Sequence, residues 1–359
     1  MEAEIYQLII QSERLDKQIR SELLQLPPIA LQQHIKSTLI EEIVLTNEIE
    51  GVHSSRREIG EVLENLKKKD KSGRFQGIVE KYIAITGSND ITIQTCADIR
   101  DIYSDLVLNE VVSQDSSNAP DGEYFRQGPV SVLNEAGIPI HQGLEPESKI
   151  IQSIETALAH LNNEGTELLV RIALFHFLFA YIHPFYDGNG RMNRFISSYM
   201  MANQFNPIVG LRLSYAIKQQ IEKYYKAFTL CEHPLNKGDL TPFIILFTEI
   251  VISAMEDAAE TLKEKRSMLE AATRKLADLP GITGGKGLFE AGSLLIQASL
   301  FADVGISMGE LMEALRLSEP TVNKRLSYFD DLGIKDKVRQ GKRIYHRMNL
   351  ELLMNYGAE

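Results

Sequence analysis

The chain is poor in cysteine, lacks tryptophan and has no long apolar segment. Its 359 residues include two cysteines, Cys96 and Cys231, which cannot form a zinc site by themselves. So few thiols are typical of a reducing compartment. The longest apolar runs, such as residues 172–182, have about 11 residues, whereas a membrane-spanning helix needs about 20. The first residues are acidic and show no secretory signal. We therefore expect a cytoplasmic protein that has no membrane contact.

Positive charge is also scarce relative to negative charge. The chain has 38 Lys and Arg residues against 49 Asp and Glu residues, which gives a net charge of −11. Such a chain is not expected to coat nucleic acid through its overall field, although a local basic patch can still bind it. The 44% hydrophobic content excludes a disordered chain, and the length predicts two or three domains.

Helical periodicity dominates the chain, so we predict a mainly α fold. The first helix covers residues 4–26 and ends at two prolines, and the second covers residues 29–50 and ends before Gly51. Further helices are predicted over residues 56–71, 75–85, 92–112, 148–162, 166–181, 189–203, 214–231 and 240–279. The stretch 115–147 is rich in Ser, Asn, Gly and Pro, and its segments 129–133 and 138–141 predict a small hairpin.

One composition shift marks a domain boundary. Residues 279–287 contain four glycines and one proline, which is typical of a linker. Beyond this linker, residues 291–359 carry 9 basic and 9 acidic side chains, so the rest of the chain carries the whole net charge. We predict four regions: residues 1–110, 111–255, 256–290 and 291–359.

The most informative segment has the sequence His-Pro-Phe-Tyr-Asp-Gly-Asn-Gly-Arg-Met-Asn-Arg over residues 183–194. Gly188 and Gly190 flank Asn189 where a helix begins, so backbone N–H groups are free to face a ligand. The N-terminus of a helix offers unpaired N–H donors and the positive end of its dipole. The segment therefore predicts an anion-binding turn.

Charged side chains around this turn favour a polyphosphate ligand. Arg191 and Arg194 lie three residues apart on the new helix, so both guanidinium groups are expected on the side of the loop. Asp187 would repel a phosphate unless a divalent cation such as Mg²⁺ bridged the two. His183 has the pKa range of a general base. Each residue alone also has an ordinary structural interpretation, but their combination favours a site.

The segment matches, at every specified position, the Fic family signature His-Pro-Phe-x-(Asp/Glu)-Gly-Asn-Gly-Arg-x-x-Arg, and the chain resembles that family. The resemblance implies a helical Fic fold and transfer of AMP from ATP to a Tyr, Thr or Ser hydroxyl of a target protein or of the chain itself. It implies the following roles: His183 as the base, Asp187 as the Mg²⁺ ligand, Gly188, Asn189 and Gly190 as the hole for the α- and β-phosphates, Arg191 as the β-phosphate contact and Arg194 as the γ-phosphate contact. The intact Gly-Asn-Gly-Arg segment distinguishes it from the related Doc-type kinases.

Segments outside the motif resemble other parts of the family. The hairpin near residues 130–142 is similar to the flap that pairs with the target's backbone. Tyr224, Tyr225 and Asn236 are similar to the residues that close over adenine and ribose, although a pair of tyrosines on a helix is more often part of a core. Reaction in the opposite direction, removal of AMP from proteins, would use the same loop.

An inhibitory segment is predicted upstream. Residues 46–51, Thr-Asn-Glu-Ile-Glu-Gly, fit the family pattern (Ser/Thr)-x-x-x-Glu-(Gly/Asn) at the end of the helix over residues 29–51. In this interpretation Glu50 pairs with Arg194 and occupies the place of the γ-phosphate. The alternative is an ordinary surface glutamate near the end of a helix.

The C-terminal region resembles a winged helix. Ser307 and Glu310 fit a capping box, a second helix is predicted over residues 322–332, and residues 337–345 predict a two-stranded wing. Residues 335–347 contain six basic side chains and one acidic one. This pattern indicates DNA contact through residues 307–347, although the same module also serves protein contacts. A DNA-binding regulator with an accessory nucleotide site is therefore the alternative function.

Overall fold

The structure is a computed structural model that describes residues 3–67, 73–87, 90–133, 137, 139–282, 284–285, 287–341 and 343–357. Helices predominate and strands are few, which confirms the mainly α fold class. The chain divides into two compact units. The first comprises Met1–Lys17 with Leu39–Ala258, and the second comprises Gln18–Thr38 with Ala259–Glu359. Within the described residues, no helix is both long and apolar enough to cross a membrane.

The division into four regions, with boundaries after residues 110, 255 and 290, stays a prediction. Three long helices contribute residues to both units, and they are α1 (Ala3–Leu24), α2 (Pro28–Ile49) and α13 (Thr241–Ala277).

The other helices of the first unit surround the segment that carries the motif. They are α3 (Arg56–Lys67), α4 (Gln76–Thr86), α5 (Cys96–Tyr103), α6 (Asn109–Gln114), α7 (Glu147–Leu161), α8 (Leu168–Ile182), α9 (Asn189–Gln204), α10 (Pro207–Gly210), α11 (Leu213–Gln219) and α12 (Ile221–Glu232). A π-helical segment, Ser104–Leu108, joins α5 to α6, so the predicted helix over residues 92–112 has an irregular centre. The helix predicted over residues 214–231 is interrupted at Gln220.

The core of the first unit is built around α8, which is apolar on nearly all sides. Such a helix is stable only when it is surrounded by protein, and α8 packs against α7 on one side and α9 on another. Because the chain leaves α8 at His183 and enters α9 at Asn189, the motif occupies the short connection between two buried helices. This placement explains why most of its side chains are buried.

A short hairpin lies beside this connection and confirms the predicted one. Strands β1 (Ser131–Leu133) and β2 (Pro139–Gln142) are antiparallel, with Val132 opposite His141 and an irregularity between Val132 and Leu133. Of the predicted turn and second segment, residues 134–136 and 138 lie outside the described residues. We call residues 128–144 the flap region.

The second unit contains the predicted capping box, second helix and basic hairpin. It consists of α14 (Leu288–Phe301), β3 (Ile306–Ser307), α15 (Met308–Leu315), α16 (Glu319–Asp331), β4 (Lys335–Gln340), β5 (Arg343–Met348) and α17 (Leu350–Asn355). The sheet has the order β3–β5–β4 and is antiparallel. Ser307 and Glu310 cap α15 reciprocally, which confirms the capping box. The winged-helix class of this unit stays a prediction.

Candidate active site

His183 ends α8 in a conformation that few residues other than glycine adopt. Its φ is 53°, and its backbone N–H still bonds to the carbonyl of Phe179 at 3.0 Å. The ring Nδ1 lies 3.3 Å from the carbonyl oxygen of Ala180. Because a carbonyl can only accept, Nδ1 carries the hydrogen and Nε2 carries the lone pair. Burial lowers the pKa of His183 to about 4, so the ring is neutral at neutral pH.

The loop after His183 is shaped by the side chain of Asn189. Its Oδ1 accepts from the backbone N–H of Phe185 at 3.0 Å, and its Nδ2 donates to the carbonyl of Phe185 at 2.8 Å. Phe185 is fully buried, as expected for an anchor, and stacks on Tyr103 with 3.7 Å between ring centroids. The Tyr103 hydroxyl donates to the carbonyl of Asp187 at 3.1 Å. Both atoms of the Asn189 side-chain amide therefore bond within the loop. The backbone N–H of Asn189 is the group left for a ligand.

The anion-binding turn lies at the start of α9. Gly188 precedes the helix with φ of 81°, which favours glycine. The N–H of Met192 makes the first bond back, to the carbonyl of Gly188 at 3.0 Å. The N–H groups of residues 189–191 precede that bond and so belong to the unpaired first turn of the helix. A Cβ at Gly190 would collide with the carboxylate of Glu50, so the close approach of Glu50 requires glycine there.

Arg194 contacts residues at the end of α2. It is 2% exposed, and its Nη1 lies 2.9 Å from Oε1 of Glu50. Its Nε donates to Oγ1 of Thr46 at 2.7 Å and its Nη2 to the carbonyl of Thr46 at 2.9 Å. All three contacts come from the segment over residues 46–51 that the sequence analysis singled out.

Arg191 has a different partner, which the sequence analysis missed. Its Nη1 bonds to Glu110 of α6, and both side chains are buried, at 1% and 6% exposure. Its Nη2 lies 3.8 Å from Oδ1 of Asp187. Glu110 lies on the same helical face as Leu106 and Val107, where a lone carboxylate in an apolar pattern predicts a buried cationic partner.

Asp187 fits a metal held jointly with phosphates. Its carboxylate is 36% exposed beside the anion-binding turn. Within the described residues, no group of three or more His, Cys, Asp or Glu side chains forms a complete metal site. One carboxylate together with substrate phosphates is the usual environment of Mg²⁺, so the residues present fit that ion.

The three residues predicted near adenine have unequal surroundings. Tyr224 is 5% exposed, and its hydroxyl lies 2.7 Å from Nε2 of His176. Tyr225 is 47% exposed and contacts the Tyr224 ring edge to face. The Asn236 side chain donates to the carbonyl of Asp239 at 2.6 Å and thus closes its own loop. Tyr225 is the most accessible of the three, and ligand contact by any of them stays a prediction.

A buried carboxylate on α2, Glu42, was also missed. It is fully buried and accepts from the N–H of Ser214 at 2.9 Å and from its hydroxyl at 2.5 Å. Burial raises the pKa of Glu42 to about 7, against the opposing effects of Ser214, Arg194 and Arg212. Glu42, Thr46 and Glu50 are spaced four residues apart, so they share one face of α2.

These features define a helical protein with a neutral histidine beside a polyphosphate-type anion turn. Residues 94–201 match the model of the Fic/DOC family. This matched part of the chain carries the complete signature, so residues 94–201 are similar to the Fic/DOC family.

Known proteins resemble the chain to different extents. It is 32% identical over 143 residues to a protein adenylyltransferase Fic of Drosophila mojavensis, which covers 37% of this chain and 26% of that protein. The protein of the same name in Drosophila melanogaster is 35% identical over 88 residues, which covers 23% and 16%. The chain thus spans about a quarter or less of these relatives. A crystal structure of a Fic family protein from Desulfovibrio desulfuricans G20 superposes with a TM-score of 0.54 over 97% of this chain and 96% of that chain. At 18% identity it supports the fold alone.

Proposed function

We propose that the chain is a protein adenylyltransferase that transfers AMP from ATP to a Tyr, Thr or Ser hydroxyl of a target protein, including its own. The observation that carries this proposal is the neutral His183, with Nε2 as its lone-pair nitrogen, at the mouth of the N–H turn of residues 189–191. The names of the relatives with the matching domain agree with this activity.

Each residue has one task in the proposed reaction. Nε2 of His183 takes the proton of the target hydroxyl, whose oxygen then bonds to the α-phosphorus of ATP. The bond from that phosphorus to the β-phosphate oxygen breaks, and pyrophosphate leaves. The N–H groups of residues 189–191 hold the α- and β-phosphates. Arg191 is proposed to act on the β-phosphate and Arg194 on the γ-phosphate. Mg²⁺ held at Asp187 would neutralise phosphate charge.

We propose further that Glu50 restrains this reaction. Its carboxylate pairs with Nη1 of Arg194. Arg194 is the side chain proposed to hold the γ-phosphate. ATP must then displace Glu50 or bind with its phosphates misplaced. Transfer at phosphorus depends almost wholly on positioning, so a misplaced chain of phosphates reacts slowly.

The proposal is tested with ATP labelled at either the α- or the γ-phosphate, in the presence of Mg²⁺. Label on protein from the α-labelled nucleotide alone is expected. His183→Ala should reduce this labelling by about 10²–10⁴-fold and leave ATP binding largely intact, because the base does not hold phosphates. His160→Ala, an exposed histidine on α7, is the matched control.

Two other results would contradict the proposal. Transfer of the γ-label would indicate a kinase. Faster loss of AMP from a modified protein than its formation, under the same conditions, would indicate AMP removal as the principal direction.

The second unit supports a second candidate function, which is DNA contact through residues 307–347. The start of α16 presents the exposed side chains of Asn323 and Lys324 to solvent, as a recognition helix requires. Part of the basic charge of the hairpin is already neutralised, however, because Lys335 and Lys337 both pair with Asp330. Retention of the full chain on DNA at low salt, with a shallow dependence on salt, is the expected result. No retention there would leave protein contact as the role of this unit.

A further inference from the structure

Arg126 is a fully buried arginine whose contacts are all with backbone carbonyl groups. Its Nε donates to the carbonyl of His183 at 2.9 Å, its Nη1 to that of Gly128 at 2.6 Å, and its Nη2 to that of Leu144 at 2.9 Å. In the described part of the chain, no carboxylate pairs with it. Burial lowers the pKa of this guanidinium.

The three acceptors belong to the two segments that must meet for transfer to a protein. Gly128 lies just before β1 and Leu144 just after β2, so one guanidinium holds both ends of the flap region. The third acceptor is the carbonyl of His183 itself. The backbone N–H of Arg126 also donates to the carbonyl of Pro184 at 3.2 Å, within the same loop.

The backbone nearby is arranged around this guanidinium. A Cβ at Gly143 would collide with Nη2 of Arg126, and that position shows no left-handed φ that would by itself require glycine. The N–H of Gly143 bonds to the carbonyl of Val130 at 3.0 Å, and the N–H of Leu144 bonds to that of Ile182 at 3.0 Å. The base of the flap region is therefore closed on one side and joined to the end of α8 on the other.

The charges of Glu145 and Asp121 act on Arg126 without pairing with it directly. A buried cation without a direct ion pair is costly, and a neutral side chain could fill the same space at a lower cost. Three charge-assisted bonds, two to the ends of the flap region and one to the His183 loop, fix the relative positions of these two segments in a way that an apolar residue cannot. The planar fork of arginine matches this task, whereas a lysine can direct its point charge at one or two of the three carbonyls.

We propose that Arg126 is a positioning residue that sets the height of the flap region above His183. It thereby sets the distance between a target hydroxyl carried by the flap and the Nε2 of the base. This inference rests on the proposed function for its catalytic consequence. The structural part, that Arg126 holds both ends of the flap region against the His183 loop, can be tested without catalysis.

The test uses the full chain with Glu50→Gly as parent, and compares it with the same chain carrying Arg126→Lys. Three quantities are measured: AMP transfer to protein, affinity for a non-hydrolysable ATP analogue, and amide exchange across the flap region. Misplacement by about 1 Å costs on the order of 10²-fold in rate, so we expect such a loss of transfer. Analogue affinity should stay within about twofold. Exchange at Gly143 and Leu144 should rise at least about tenfold, with α8 and α9 unchanged.

Arg171→Lys is the matched control. Arg171 lies on α8 in the same unit, and its Nη1 likewise donates to a backbone carbonyl, that of Leu161 at 2.8 Å, at the opposite end of α8 from His183. It should leave transfer and flap exchange unchanged. If Arg126→Lys fails to fold, Arg126→Gln, which removes the charge and keeps a donor, should give the same pattern.

Several outcomes would overturn the proposal. Arg126→Lys could behave as Arg171→Lys does, or it could weaken binding of the analogue in parallel with transfer. It could also raise exchange throughout the first unit, which is the sign of a merely structural role. If the parent itself transfers no AMP, the proposed function fails, and local exchange at Gly143 and Leu144 alone then decides whether Arg126 holds the flap region.

Discussion

Two arginines of α9, three residues apart, have opposite relations to their carboxylate partners. Arg191 pairs with Glu110, which is 6% exposed and lies in the middle of the fold. Arg194 pairs with Glu50, which is 26% exposed and follows the last residue of α2. Sequence spacing predicts one common direction for both guanidinium groups, yet each reaches a different helix.

The difference indicates which contact can be exchanged for a phosphate. A buried pair loses a great deal when one partner leaves, because the other charge remains uncompensated away from water. Glu50 follows the end of α2 and is partly exposed, so water can solvate its carboxylate when the pair breaks. Breaking this pair therefore costs less free energy. The Arg191–Glu110 pair is thus suited to be a permanent part of the fold, and it leaves Nη2 of Arg191, which has no hydrogen-bond partner among the described residues, for the proposed contact with the β-phosphate. The Arg194–Glu50 pair is suited to regulation.

The largest effect is expected from breaking the buried pair. Glu110→Ala should lower the free energy of unfolding of the first unit by about 3–5 kcal/mol, since it leaves Arg191 buried without its partner. Glu50→Ala should cost less, because Nε and Nη2 of Arg194 keep their bonds to Thr46. Pulsed hydrogen exchange of α8 and α9 across a urea series measures both. Equal losses for the two variants would show that the contrast between the pairs is wrong.

A pH series with Glu42 sharpens the comparison by adding a third carboxylate. Its pKa is raised by burial to about 7, so between about pH 4.5 and 7 the folded chain binds a proton that the unfolded chain has released. The first unit should therefore lose stability as the pH rises through this window, by on the order of 3 kcal/mol in total. Glu42→Gln should remove this dependence. The same urea series at pH 5 and pH 8 gives the comparison, and an identical slope in both chains would refute it.

The Arg194–Glu50 pair should control the rate of AMP transfer. Regulatory contacts contribute about 1–3 kcal/mol, which corresponds to roughly 5–150-fold, so Glu50→Gly should raise auto-modification by at least about an order of magnitude. Arg194→Ala should not imitate it, because the γ-phosphate contact is lost as well. The double variant should be as inactive as Arg194→Ala alone. An unchanged rate in Glu50→Gly would assign the end of α2 a purely structural role.

The smallest effect is expected at an exposed pair next to Glu50. Glu48 pairs with Lys218 at 2.5 Å, with side chains 56% and 39% exposed. Exposed pairs contribute little, so Lys218→Met should change auto-modification by less than about twofold. A rise comparable to that of Glu50→Gly would mean that restraint is spread along α2 and not concentrated at Arg194.

The sequence predicts the contiguous parts of the site well. Residues 183–194 are consecutive, so their loop and helix follow from local patterns, and the separate pattern over residues 46–51 led to the predicted pairing of Glu50 with Arg194. The partners Glu110 and Arg126 could not be predicted in the same way. They lie 81 and 57 residues from Arg191 and His183, and such pairings depend on tertiary packing.

Glu110 and Arg126 differ in how clearly the sequence indicates that they are buried. Glu110 interrupts an apolar face that includes Leu106 and Val107, and this conflict with the pattern was a usable signal. Arg126 lies in an irregular stretch without periodicity, so nothing local distinguishes it from a solvated arginine. The π-helical segment over Ser104–Leu108 was likewise invisible, because its composition is that of an ordinary helix.

The order of synthesis gives the contact between α2 and Arg194 a further consequence. Thr46 and Arg194 lie 148 residues apart, and the ribosome makes α2 first. At about 5–20 residues per second, roughly 7–30 s pass between the two. When the arginine of the catalytic helix emerges, the segment that contacts it is already outside the ribosome. If Glu50 restrains transfer as proposed, the nascent chain has its restraint before it has an active site to restrain.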